Sequence, residues 1–253
     1  MRTPTPSFSV KVDATNPGQF FACCGLLELA HRRWRGAEGW FDNNRFNVCA
    51  DAAPGTDIPQ ECLTWLRDST FSRADDRGEK AIRAVQLVHA DGLSLTLDWW
   101  IDWHGKKTAL KLWAGNQTSI GILEMLRDGL PRAVSHDDLF DASEPLSGRF
   151  GVDPRAAWNA LDVGFSPNEQ QMDASTYPAV ELLAAVGLQG FRPREDSEHA
   201  CWRYATWNVP CSPPVARAAS AAVIPAGEVH HYRFGIVARG SYKGFGFARP
   251  TGG

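Results

Sequence analysis

No stretch of this 253-residue chain is apolar over the roughly 18 consecutive residues that a membrane-crossing helix requires. The opening MRTPTPSFSV lacks the apolar core of a secretion signal, so the expected location is cytoplasmic, with no membrane partner. Six cysteines (Cys23, Cys24, Cys49, Cys62, Cys201 and Cys211) include no CxxC pair, which removes the usual zinc and redox spacings. Cys23 and Cys24 read as small buried hydrophobes. No GxSxG, HExxH, phosphate-binding loop or dinucleotide fingerprint occurs, so no catalytic residue, metal or cofactor is assigned. Lysine is scarce, 6 against 20 arginines, and the formal net charge of -3 excludes a global basic field. What remains is ordinary globular composition, 43% hydrophobic and 22% charged, enough for one large core or two small ones.

The clearest element is NPGQFFACCGLLELAHRRW, residues 16–34. Asn16 suits a helix N-cap, Pro17 the first turn, and Gln19 the reciprocal capping-box position. The following residues are apolar nearly all round, which predicts a buried helix. Strands are expected at 8–12, 46–50, 84–89 and 93–103, the last two forming a hairpin that turns at Asp91-Gly92. Helices are expected at 59–68 and 117–127. Beyond the breaker-rich stretch near 131–154, the pattern predicts a strand at 161–165, a helix at 178–188 and a strand at 202–209. A closing hairpin has arms 232–238 and 242–248, after a Pro-, Ala- and Ser-rich loop at 210–227. The expected organisation is an N-terminal α+β lobe (1–131), a linker (132–153) and a C-terminal α+β lobe (154–253). The phrases preceding the two apolar helices, Asp13-Ala14-Thr15 and Asp173-Ala174-Ser175, are alike enough to suggest distant copies.

Two tracts carry binding chemistry. In LDWWIDWHGKKTALKLWAGNQTS (97–119), strand alternation would set Asp98, Trp100, Asp102 and His104 on one face. Those types can hold a divalent ion, yet a third carboxylate has no local source. From Trp103 to Met125 the only acid is Glu124, against Lys106, Lys107 and Lys111 interleaved with Trp103 and Trp113. Cations beside aromatic faces clamp phosphates and stack bases. Asn116, Gln117 and Thr118 fall at a helix N-terminus, where free N–H groups attract anions. The second tract, from Val229 to Gly253, contains no acid and carries His230, His231, Arg233, Arg239, Lys243 and Arg249 among glycines and aromatics.

The wording VDATNPGQFFACCGLLELAHRRWRGAEGWF, with LKLWAGNQTS and RGSYKGFGFARP, resembles a protein family of type I-U (I-G) CRISPR–Cas loci. That resemblance implies a subunit of a Cascade-type RNA-guided surveillance complex. Its partners would be CRISPR RNA and/or target DNA and other subunits of the effector complex. It also implies ferredoxin-like, RNA-recognition-type folds and a Gly-rich C-terminal loop on RNA, matched here by Gly240 to Gly246. A full pair of glycine–apolar–glycine elements is missing. The chain therefore fits either an RNA-backbone subunit or a small reader of the flanking motif.

On this reading guide–target pairing supplies sequence specificity and the protein supplies backbone contacts. Lys106, Lys107, Lys111, Arg239 and Lys243 position backbone, Trp113 and Tyr242 stack, and Asn116, Gln117 and Ser241 make polar contacts. The rivals are a metal-independent endoribonuclease with His230 or His231 as base, and a protein-only adaptor.

Overall fold

The first helix, α1 (Pro17–Arg33), begins where its capping residues place it in the computed structural model, which describes residues 4–114, 116–155, 175–239 and 242–251. Asn16 Oδ1 accepts the Gln19 N–H at 3.2 Å, satisfying an orphan amide of the first turn. Gln19 reaches back as expected, but its Oε1 accepts from the Asp13 N–H at 2.7 Å rather than from Asn16. Every residue from Pro17 to Ala30 is buried, and His31, Arg32 and Arg33 sit in the last turn, where the helix dipole favours cations.

Around α1 the first sheet pairs β1 (Phe8–Lys11), β3 (Arg45–Cys49) and β2 (Glu38–Asp42) in the order β1-β3-β2, all antiparallel. Strand β3 thus fills the gap between β1 and β2, the split βαβ that opens a ferredoxin-like fold. Asn43 and Asn44, both at positive φ, make the two-residue turn between β2 and β3.

The ferredoxin-like order stops there. After α2 (Ile58–Asp68), strand β4 (Thr70–Arg73) does not return beside β1. It pairs with β5 (Val85–Val88), which pairs with β6 (Ser94–Leu97) in a separate sheet. Helix α3 (Ser119–Asp128) follows, and β7 (Glu144–Pro145) joins β8 (Ser175–Thr176) in a short ribbon. After α4 (Pro178–Gly190) come β9 (Arg194–Asp196), β10 (Cys201–Ala205), α5 (Pro213–Ser220) and β11 (His231–Phe234). Then β12 (Ile236–Arg239) and β13 (Tyr242–Phe245) form a two-stranded hairpin, and β14 (Arg249–Thr251) closes a sheet of order β14-β11-β10-β9. The class is α+β, as expected. In the second half, among the described residues, β8 just before α4 pairs with β7 and not with the sheet β14-β11-β10-β9.

Several boundaries moved for local reasons. Strand β6 ends at Leu97 because Trp99 and Trp100 both turn inward, which breaks alternation. The closing hairpin is broken by Gly235 facing residues 246–248, where the Gly246 N–H donates to the Gly235 carbonyl at 2.9 Å. The stretch 210–227, expected as a loop, contains α5, started by Pro213 and Pro214 after Ser212. The strand expected at 161–165 lies outside the described residues.

One hydrophobic core takes side chains from both halves, from Phe8 to Ala248. Helices α1 and α4 cross at its centre. An added Cβ on Gly25 would meet the Leu183 carbonyl, and one on Gly187 the Phe21 carbonyl, so each glycine faces the residue four before the other. Residues 150–153, at the end of the expected linker, are themselves buried.

Candidate nucleic-acid interface

The two tracts singled out in the sequence meet. Lys111 is half-buried, with its ammonium 4.7 Å from the Trp113 ring centroid and hydrogen-bonded to the Trp113 carbonyl. Burial pushes its pKa below the ordinary lysine value, and repulsion from Lys107 and Lys243 lowers it further. Lys111 thus feels both Lys107, from its own tract, and Lys243, from the terminal hairpin. Backbone contacts explain the convergence. The Phe245 N–H donates to the Gly151 carbonyl at 2.9 Å, and a Cβ on Gly151, whose φ is +83°, would meet both Lys243 O and Leu112 Cβ. Among the described residues no lysine makes a carboxylate ion pair.

Buried Glu181, on the first turn of α4, holds this junction. Its Oε2 accepts from the N–H groups of Phe150 and Gly151 at 2.8 and 3.1 Å, and its Oε1 from Val152 and Asp153, both at 3.1 Å. Burial pushes Glu181 up to about 7, while the amide of Asp153 draws it down and the Asp153 charge raises it. Asp153 in turn accepts from Asn16 Nδ2 at 3.0 Å and pairs with Arg155 at 2.7 Å, tying the junction to the α1 cap.

Lys106, Lys107 and Lys243 are exposed and free to face a ligand. Trp113, expected to stack a base, is 5% exposed and packs edge-on against Trp100 and Phe150. Its indole N–H donates to the Ala81 carbonyl at 3.3 Å, so the ring belongs to the core. Asn116 is exposed, whereas Gln117 Nε2 is used on the Ser147 carbonyl at 2.8 Å. Both precede the α3 cap, which is Thr118, whose hydroxyl accepts the Gly121 N–H at 3.1 Å. Arg239 and Tyr242 pair across β12 and β13; their side chains, and Ser241 altogether, lie outside the described residues.

Trp103 is the aromatic residue that sequence reasoning undervalued. It is 82% exposed at the tip of a tight loop closed by the Ile101–Lys107 bridge. Asp102 forms that loop by accepting the His104 and Lys106 N–H groups, both at 2.8 Å, and Gly105 supplies a φ of +75°. The signal was the D-W-H-G wording, which reads as a turn once alternation is abandoned. The Arg77 guanidinium lies 5.9 Å from the Trp103 ring.

The expected carboxylate face of Asp98, Trp100, Asp102 and His104 does not form, because the segment turns instead of extending. Asp98 is engaged by Arg77 at 2.9 Å and Gln189 at 2.9 Å, Trp100 is core, and Asp102 caps its loop. His230 is exposed, 3.7 Å from Glu228, and His231 is half-buried in β11 opposite Thr251. The six cysteines are free thiols, and burial pushes Cys23 and Cys24 well up, in keeping with inert core residues.

No helix among the described residues is long and apolar enough to cross a membrane. No protein-family model and no solved structure matches the chain. Over 126 residues it is 26% identical to electron transfer flavoprotein subunit alpha of Bradyrhizobium diazoefficiens, a match covering 49% of this chain and 37% of that protein. The chain thus spans little more than a third of the curated relative it resembles.

Proposed function

We propose that this protein is a non-catalytic nucleic-acid-binding subunit of a type I CRISPR RNA-guided surveillance complex, contacting the backbone of CRISPR RNA or target DNA. The observation that carries the binding role is the meeting of the mid-chain Lys107–Lys111 tract with the terminal hairpin of Lys243, brought together where Gly151 sits against Lys243 O and Leu112 Cβ, without carboxylate partners for these lysines among the described residues. Like charges brought together in this way are relieved when phosphates replace solvent counterions. Exposed Lys106 and Trp103 extend the cluster with a cation and a stacking ring. The CRISPR assignment rests on the three sequence tracts quoted above.

Binding of labelled oligouridine RNA, measured against salt concentration, tests the role. The wild-type chain should bind with a steep salt dependence, and Lys106→Ala/Lys107→Ala/Lys243→Ala should lower the slope by about 2. No binding at low salt removes the proposal. Incubation in EDTA should leave the RNA uncut, and site-specific cleavage lost in His230→Ala or His231→Ala would make the protein a nuclease instead.

A further inference from the structure

The sheet β14-β11-β10-β9 turns one face to the core and the other outward. Tyr204 and Phe234 are buried on the inner face, with Tyr232 stacked on Tyr204. On the outer face the register sets Arg194 opposite Arg203, Arg203 opposite Arg233, and Arg233 opposite Arg249. All four are exposed. One arginine from each strand therefore forms a row straight across the sheet, about 14 Å long at the usual strand spacing.

Directly opposed like charges destabilise a sheet, and here the opposition occurs at every strand pair. Carboxylates could offset it, yet among the described residues only Arg203 contacts one, Asp196, which is shared with His199. Among the described residues Arg194, Arg233 and Arg249 make no ion pair. Glu195 sits opposite Trp202, one position out of the arginine row and so on the other face of the sheet. Of the two flanking rows on that face, one sets His231 opposite Thr251, and the other sets Asp196, the carboxylate already engaged by Arg203 and His199, opposite Cys201.

We propose that this arginine row is a second phosphate track, taking the phosphodiester backbone of a nucleic acid laid across the four strands. The inference rests on the nucleic-acid reading above and names a surface distinct from the lysine cluster. Each guanidinium can fork two phosphate oxygens, which a lysine cannot do. The row matches the length of about four stacked nucleotides. An array that repels itself in the free chain is neutralised once a polyanion occupies it.

The test compares the full chain with Arg194→Ala/Arg233→Ala/Arg249→Ala and with the single Arg233→Ala, leaving Arg203 in place because it holds Asp196. With oligouridine RNA, the triple variant should bind about tenfold or more weakly, its salt slope falling by about 2, and Arg233→Ala should fall between. Thermal midpoints of both variants should stay or rise, because repulsion is relieved. If the triple variant binds like wild type while the lysine variant is impaired, the arginine track is wrong and the proposed function survives. If the arginine variant is impaired and the lysine variant is not, the track stands and the lysine site falls. If wild type binds polyglutamate through the row but not RNA, the row is an acidic-protein surface and the inference is overturned.

Discussion

Gly25 and Gly187 meet where α1 crosses α4, so closely that a Cβ on either would lie 2.0 Å from a backbone oxygen of the opposite helix. Neither carbonyl can yield without moving its helix. Gly25→Ala and Gly187→Ala should each destabilise by about 3 kcal/mol or more, as overpacking against rigid backbone does. A shifted urea midpoint with an unchanged slope would report this. Ala22→Gly, on the same helix, should cost about 2 kcal/mol, the glycine propensity penalty plus one buried methyl.

Glu181 gives the fold a pH dependence whose sign can be worked out. Its folded pKa, about 7, lies above the ordinary 4.5, so the folded chain holds this proton more tightly than the unfolded chain. The group's contribution is therefore most favourable below about pH 4.5 and declines as pH rises to 7, by up to about 3 kcal/mol. Glu181→Gln should flatten the difference between urea midpoints at pH 5 and pH 8. A variant as pH-dependent as wild type would assign the effect elsewhere. The same substitution should destabilise the protein at pH 8, where Glu181 is ionised, because one amide oxygen cannot serve the four backbone donors that the carboxylate serves.

Asn16→Ala removes the α1 cap and one donor to buried Asp153 together. The expected loss is about 2 kcal/mol, read from chemical denaturation. Asn16→Asp should be worse, since it keeps a cap acceptor but sets a second carboxylate against Asp153.

The two tryptophans of the central tract should part company under substitution. Trp103→Ala should leave the melting temperature unchanged and weaken oligouridine binding by about tenfold, the value of one lost base stack. Trp113→Ala should destabilise by about 3 to 5 kcal/mol through a core cavity. If Trp103→Ala binds RNA as wild type does, the exposed ring has no part in stacking.

Helices were legible where capping chemistry and apolar pattern agreed. Asn16-Pro17 started α1 and Pro178 started α4, and both ran close to their expected lengths. The turn at Asp91-Gly92 was readable because Gly92 needs a φ of +84°. Strands β2 and β4 were missed: β2 is short and buried along three successive residues, and β4 is largely exposed, so neither alternates cleanly. The site was half legible. Charge depletion marked both basic tracts, but their meeting depends on the Glu181 clamp and the Gly151 contact, which have no local sequence signature. Alternation misassigned Asp98 and Trp100 because a turn at 102–105 outweighed strand periodicity. The arginine row was hidden for a related reason, since it exists only through register between four separated strands.

The Glu181 clamp has a mechanical consequence. Four consecutive amides grip one carboxylate on α4, and the same loop offers the Gly151 carbonyl to Phe245 in β13. A small rotation of the central helix would thus be passed by short rigid linkages to the terminal hairpin, not dissipated in a slack connection. Hydrogen exchange at the Phe245 amide would then report on packing between Gly25 and Gly187, well away from the hairpin in sequence.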